Sequence, residues 1–214
     1  MKPRILTIAA LFTFLSMQCT DVSVSGGGGS SETINAKIII NDTVVTVTND
    51  PANSELLSIE AFSTNYHPYE KTGFAAKSAL GNTSKSVVLP APGAYNFRIC
   101  SEDRDLSCFI QNKTINKGDR DTVVCVLYSE CNVKGKLVSR DSQTVNKKYV
   151  VAIQGSPFMC VTDEAQTFTL GTIPRGNYTM SIRPKEQRLF IAHANYDFSI
   201  NEIAEQARLD VVVP

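Results

Sequence analysis

Six cysteines, two histidines, an acidic tip and one aromatic loop are the residues whose types and spacing could do chemistry in this chain. The cysteines are Cys19, Cys100, Cys108, Cys125, Cys131 and Cys160. No two stand as Cys-x-x-Cys, so no dithiol redox motif is present, and in an oxidising compartment stabilising bridges are the expected chemistry. Cys100 and Cys108 flank Ser101–Ser107, a spacing that lets the two thiols face each other across a hairpin. Cys131 and Cys160 could tie the first strand of the second half to its neighbour, with Cys125 left odd or paired with Cys131. His67 and His193 lack the paired spacing of a zinc site, and no Ser-His-Asp set can be built around them; they read as packed or surface histidines. Glu102, Asp103 and Asp105 around Arg104 read as a solvated turn rather than a calcium loop. The four glycines at 26–29 have no Lys-Ser/Thr after them, so they are no phosphate loop. No catalytic residue, cofactor or metal set emerges, and the chain reads as no enzyme. The remaining candidates are Tyr66 and Tyr69 in Asn65–Phe74 (NYHPYEKTGF), whose rings could stack on a sugar or anchor a protein partner. The alternative is that they cover a sandwich edge, and the absence of Trp weakens a sugar platform.

The N-terminus bears on destination. Lys2 and Arg4 precede Ile5–Leu15 (ILTIAALFTFL), an uncharged apolar run too short to span a bilayer but of signal-peptide length. Ser16-Met17-Gln18 then lead to Cys19. A cysteine directly after the apolar core resembles the lipobox of bacterial lipoproteins. That resemblance implies a signal peptide over 1–18, acylation of Cys19, and an exported, membrane-anchored protein of the cell envelope, at the outer membrane or cell surface. Thr20–Asn35 (TDVSVSGGGGSSETIN) reads as a flexible tether. Lys plus Arg and Asp plus Glu both number 21, so no charge excess argues for nucleic acid. The expected partners are the membrane, through the lipid anchor, and a cell-surface glycan or protein.

The elements that must position these residues are strands. Hydrophobic residues at 43% and charged residues at 20% suit a globular chain. Strand patterns recur at roughly ten-residue spacing with turn signals between. In the first half they are Ala36–Val47, broken at Asn41-Asp42, then Leu56–Phe62, Ser86–Leu89, Ala94–Ser101, Cys108–Ile115 and Thr122–Tyr128. In the second they are Asn132–Val138, Tyr149–Gln154, Thr167–Leu170, Tyr178–Ile182, Phe190–Ile200 and Arg208–Val213, with 201–207 (NEIAEQA) as a short helical turn. Val87–Phe97 (VVLPAPGAYNF) and Phe168–Met180 (FTLGTIPRGNYTM) repeat one pattern: a strand, a turn with Pro and then Gly, and a Tyr opening the next strand. Pro sets the first turn dihedral and Gly is expected to supply a positive φ. The repeat predicts two similar domains in tandem, an all-β chain of two antiparallel sandwiches over 36–128 and 129–214.

Cys160–Ile182 resembles the carboxypeptidase regulatory-like domain, a transthyretin-like or carbohydrate-binding-like β-sandwich. Thr162, Asp163, Phe168, Leu170, Ile173, Pro174, Gly176 and Tyr178 follow the family signature in order, and Gly135 matches the glycine of its first strand. Gln166 stands where the family usually has Gly. The resemblance covers Cys131–Pro214 well and implies a non-catalytic binding or structural module. The expected function is a membrane-anchored structural or adhesion-type accessory module, and the alternative is a carbohydrate-binding module of the envelope.

Overall fold

Period-two alternation sets the strands. In β1 (Ile34–Asn41) every second residue, Ile34, Ala36, Ile38 and Ile40, is buried and the intervening ones face water. The chain turns at Asp42, a left-handed residue (φ 54°) whose carboxylate accepts the Gly118 N–H at 2.8 Å. It then continues through β2 (Val44–Asn49), β3 (Leu57–Ser63), β4 (Ala75–Lys77), β5 (Lys85–Val88), β6 (Gly93–Ser101), β7 (Leu106–Ile115) and β8 (Arg120–Ser129). The second half contains β9 (Cys131–Ser139), β10 (Tyr149–Ile153), β11 (Met159–Val161), β12 (Thr167–Ile173), β13 (Gly176–Pro184), β14 (Ala194–Ile200) and β15 (Gln206–Val213). The computed structural model describes residues 33–49, 56–78, 85–103, 105–139, 147–186, 194–201 and 206–213. Cys19, the leader, most of the tether, Arg104 and His193 lie outside them.

The architecture is all-β. The first eight strands form a sheet in the order β4-β3-β6-β7-β8-β1-β2-β5. Only two residue pairs, Leu106–Ser129 and Ser107–Tyr128, join β7 to β8. The sheet folds over at that corner, so that β3 lies against β2 and β5 across a core of Ile38, Val45, Ile59, Phe97, Ile99 and Leu127. The second half packs β11-β10-β13-β14 against β12-β9-β15 around Val133, Val151, Phe168, Tyr178, Met180 and Ile182. The ladders are antiparallel except that β15 runs parallel to β9. All described residues belong to one compact unit with two cores.

The repeated Pro/Gly/Tyr pattern has one physical meaning in both halves. The Tyr95 hydroxyl donates to the Ala91 carbonyl at 2.7 Å, and Tyr178 donates to Pro174 at 2.8 Å, each four residues back. Each ring lies over the glycine two places earlier: a Cβ on Gly93 would sit 3.5 Å from the Tyr95 ring, and one on Gly176 3.3 Å from that of Tyr178. These are tyrosine corners that fix a strand's entry onto its core. The expected positive φ holds at Gly176 (156°), but Gly93 is not among the positive-φ residues; its role is to leave room for the ring.

Gly135 and Gln166 are explained in the same way. A Cβ on Gly135 would meet the Phe168 ring at 2.3 Å and the Leu209 carbonyl at 2.4 Å, so β9 is pressed between β12 and β15. Gln166 occupies the left-handed region (φ 61°) that glycine adopts freely, and its side chain donates to the Lys147 carbonyl at 3.0 Å. The Thr-Asp turn is built by Asp163, whose carboxylate accepts the Thr167 N–H at 2.8 Å, and by Thr162, whose hydroxyl accepts the Tyr149 N–H at 2.9 Å. Two short strands, β4 and β11, were not expected: three residues are too few to show a period. The helical turn expected over 201–207 gives way to strand at Gln206, where pairing to β9 begins; 202–205 lie outside the described residues.

Candidate functional site

The two cores meet at a polar and aromatic junction. Glu130 alone separates β8 from β9. Its carboxylate accepts hydrogen bonds from Ser107 (2.6 Å) and Arg98 (2.7 Å) in the first half and from Thr172 in the second. Burial alone would raise the Glu130 carboxyl, but these donors and the Arg98 charge hold it below the usual carboxylate range. Arg98 also reaches Glu60 and lies over the Phe158 ring, 5.3 Å from its centroid. Beside it Phe109 leaves the first half and packs between Phe158 and Tyr178 at centroid distances of 6.0 and 5.9 Å.

A β-bulge supplies the polar part. Tyr95 pairs with Lys113 and Phe97 with Ile110, so Asn96 faces two residues, Gln111 and Asn112, and Asn112 takes a left-handed conformation (φ 54°). The Asn96 side chain accepts the bulged Asn112 N–H at 2.7 Å and donates to the Gly155 carbonyl at 2.8 Å. The Gly155 N–H donates to the Tyr66 carbonyl at 2.7 Å. Gln111 crosses to the Asn177 carbonyl at 2.8 Å.

Above this bulge lies a cleft of about 250 Å³. Its walls are mostly amides and hydroxyls, from Asn96, Gln111, Asn112, Gln154 and Asn195 and from Thr64, Thr179 and Ser181, with Ile153 as the one aliphatic residue. A second depression shares Gln111 and Thr179 and continues past Asn177, Asp197 and Ser199. The neutral donors and acceptors of the first cleft suit a neutral, polyhydroxylated ligand better than an ion, while the Asp197 carboxylate puts a charge in the second depression. Among the described residues no group of three metal-ligating side chains comes together.

The residues singled out in the sequence fall elsewhere. Tyr66 is half-buried against Phe62, at a centroid distance of 5.3 Å. Tyr69 is half-buried with Arg183 lying 5.3 Å from its ring centroid, and Arg183 is ion-paired with Glu70. Their loop thus touches the second half rather than offering two free rings. His67, in the same loop, is buried; its pKa is lowered to about 4 by desolvation and by the Arg183 charge. At the acidic tip Glu102 pairs with the buried Lys85.

All five described cysteines carry free thiols. In the β6–β7 hairpin Cys100 opposes Ser107 and Cys108 opposes Ile99, so the two thiols point to opposite faces and do not meet as the spacing suggested. Cys131, on β9, and Cys160, on β11, come from opposing sheets and both pack on the second core. Cys125 belongs to the first core and Cys131 to the second, which separates that alternative pair as well. The cleft itself was not legible in the sequence, because its amides come from several separate strands and their connections. The adjacent Gln111-Asn112 pair within a strand pattern is the one local signal of a bulge.

No family model matches the sequence, and no curated protein matches it. Among solved structures the chain is similar to the TIE protein of Bacillus anthracis, at 10% identity and a TM-score of 0.30 over 87% of this chain and 41% of that one. It is also similar to BcpA, the major pilin subunit of Bacillus cereus, at 11% identity and a TM-score of 0.30 over 85% of this chain and 70% of that one. The chain thus spans less than half the length of the TIE protein. At such similarity neither neighbour sets a function for this chain.

Proposed function

We propose that this chain is a non-enzymatic, membrane-anchored lipoprotein of the cell envelope, whose two β-sandwich domains form a structural, adhesion-type module. The observation that carries the reading is the junction. Domains in one chain move relative to each other by default unless their interface is extensive. Here Glu130 is the whole linker, and Arg98 over Phe158, Phe109 against Phe158 and Asn96 bonded to Gly155 hold the two halves together. A unit of this kind presents a fixed surface at the end of a tether, which suits a structural or adhesive role. Anchoring through Cys19 is supported by the apolar run and the glycine-rich tract. Membership of the second half in the carboxypeptidase regulatory-like group is supported by the Thr-Asp turn, the close approach at Gly135 and the corner at Tyr178.

The amide-lined cleft favours a second reading, a carbohydrate-binding module. The first test is intact mass of the protein recovered from a bacterial membrane fraction. A chain beginning at Cys19 with acyl groups attached, and loss of membrane retention in Cys19→Ser, is the expected result. An unmodified soluble chain would sink the anchored reading.

A further inference from the structure

We propose that Cys108 and Cys125 form a disulfide that clamps the corner where the two sheets of the first half diverge. The corner is weakly held, since two residue pairs are all that join β7 to β8. Continuing that register by one pair would place Cys108 opposite Leu127, whose side chain shares a face with Cys125, two residues earlier in β8. Both cysteines pack on the first core, and the Cys108 thiol and Cys125 sulfur are hydrogen-bonded to each other. Cys100, by contrast, lies on the opposite face of β6 from Ile99, the residue that Cys108 faces.

The chemistry balances with a small-molecule disulfide as oxidant. The hydrogen bond from Cys108 lowers the Cys125 thiol below its usual range, so Cys125 ionises first. Its thiolate breaks the S–S bond of the external disulfide, giving a mixed disulfide and one released thiol. Cys108 then attacks the Cys125 sulfur and releases the second thiol. The pair loses two electrons, the external disulfide gains them, and the two cysteine protons end on the released thiols. The closed loop, 108–125, is short, and its closure constrains the unfolded chain.

The test equilibrates the full chain in glutathione buffers of graded oxidised-to-reduced ratio, traps free thiols by alkylation, and maps peptides without reduction. Cleavage after Arg120 and Glu130 separates Cys125 from both Cys108 and Cys131. The expected product is one cross-linked pair of peptides holding Cys108 and Cys125, lighter by two hydrogens, in wild type and in Cys100→Ser alike. Oxidation should raise the melting temperature by about 5–10 °C. In Cys125→Ser the link should vanish and the shift with it. A Cys108 or Cys125 joined to Cys100, Cys131 or Cys160, or both thiols still free in the most oxidising buffer, would overturn the proposal.

Discussion

The Asn96 side-chain amide donates to the Gly155 carbonyl at 2.8 Å, joining a bulge in the first half to a turn in the second. The same side chain satisfies the bulged Asn112 N–H, so one residue serves two backbone groups. Asn96→Ala should therefore cost about 2–4 kcal/mol, since two backbone groups lose their partner at once. Gly155→Ala attacks the contact from the other side: its Cβ would lie 2.3 Å from the Asn96 amide nitrogen, at a φ of +71°. Urea unfolding measures both. An Asn96→Ala protein with wild-type stability would mean that the bulge finds other partners and that the junction does not depend on this amide.

Gly135→Ala should be at least as damaging. The added methyl meets a ring on one side and a backbone carbonyl on the other, and the carbonyl cannot rotate away. Overpacking of this kind typically costs about 1–3 kcal/mol, and more where backbone must shift. A melting temperature within about 2 °C of wild type would show that β9 moves freely between β12 and β15.

How much of this was legible beforehand depended on range. The strands with clear alternation, such as Ala36–Ile40, and the turns marked by Asp42 or by Pro before Gly176, follow from local pattern and appear where expected, but β1 starts two residues earlier, at Ile34, because that residue, read as the end of the tether, is buried in the first core and pairs with Leu127. The Tyr95 and Tyr178 repeat was visible as spelling, but its cause, a hydroxyl bonded four residues back over a glycine, is a three-dimensional fact. Cysteine pairing failed to follow from spacing because the hairpin register is decided by which residues fill the core: Ile99 must face inward, and that turns Cys100 outward. The parallel pairing of β15 with β9 and the amide cleft depend on residues far apart in the chain, for which one sequence holds no local signal.

Acid should weaken the fold through His67. Its folded pKa, about 4, lies below the ordinary value of 6.5, so the unfolded state binds the proton more readily. The contribution is present in full above pH 6.5 and is lost as pH falls from 6.5 toward 4, by at most about 3 kcal/mol. Melting curves between pH 7.5 and pH 4 should show this slope, and His67→Gln should flatten it. An unchanged slope in the variant would assign the acid sensitivity to other groups.

Glu102→Ala should destabilise by about 3–5 kcal/mol, well above a surface ion pair, because it strands the buried Lys85 ammonium. Lys85→Met in the same background should recover most of the loss, since it removes the charge and keeps the volume. If the double variant is as unstable as the single, then the tip geometry, and not the stranded charge, sets the cost.

The cleft separates the two functional readings. Gln154 and Asn195 line it from β10's end and from β14, and both are exposed, so truncating them should leave folding intact within about 0.5 kcal/mol. If the module binds neutral glycans there, titration with neutral oligosaccharides followed by NMR should shift resonances of Gln111, Asn112 and Thr179. Gln154→Ala and Asn195→Ala should each then weaken affinity by about 5–10-fold, the worth of one lost hydrogen bond. Shifts confined to the Tyr66–Tyr69 loop would move the ligand site to that loop. A flat titration across neutral glycans would remove the carbohydrate reading and leave the structural, adhesion-type reading, to be tested next against protein surfaces.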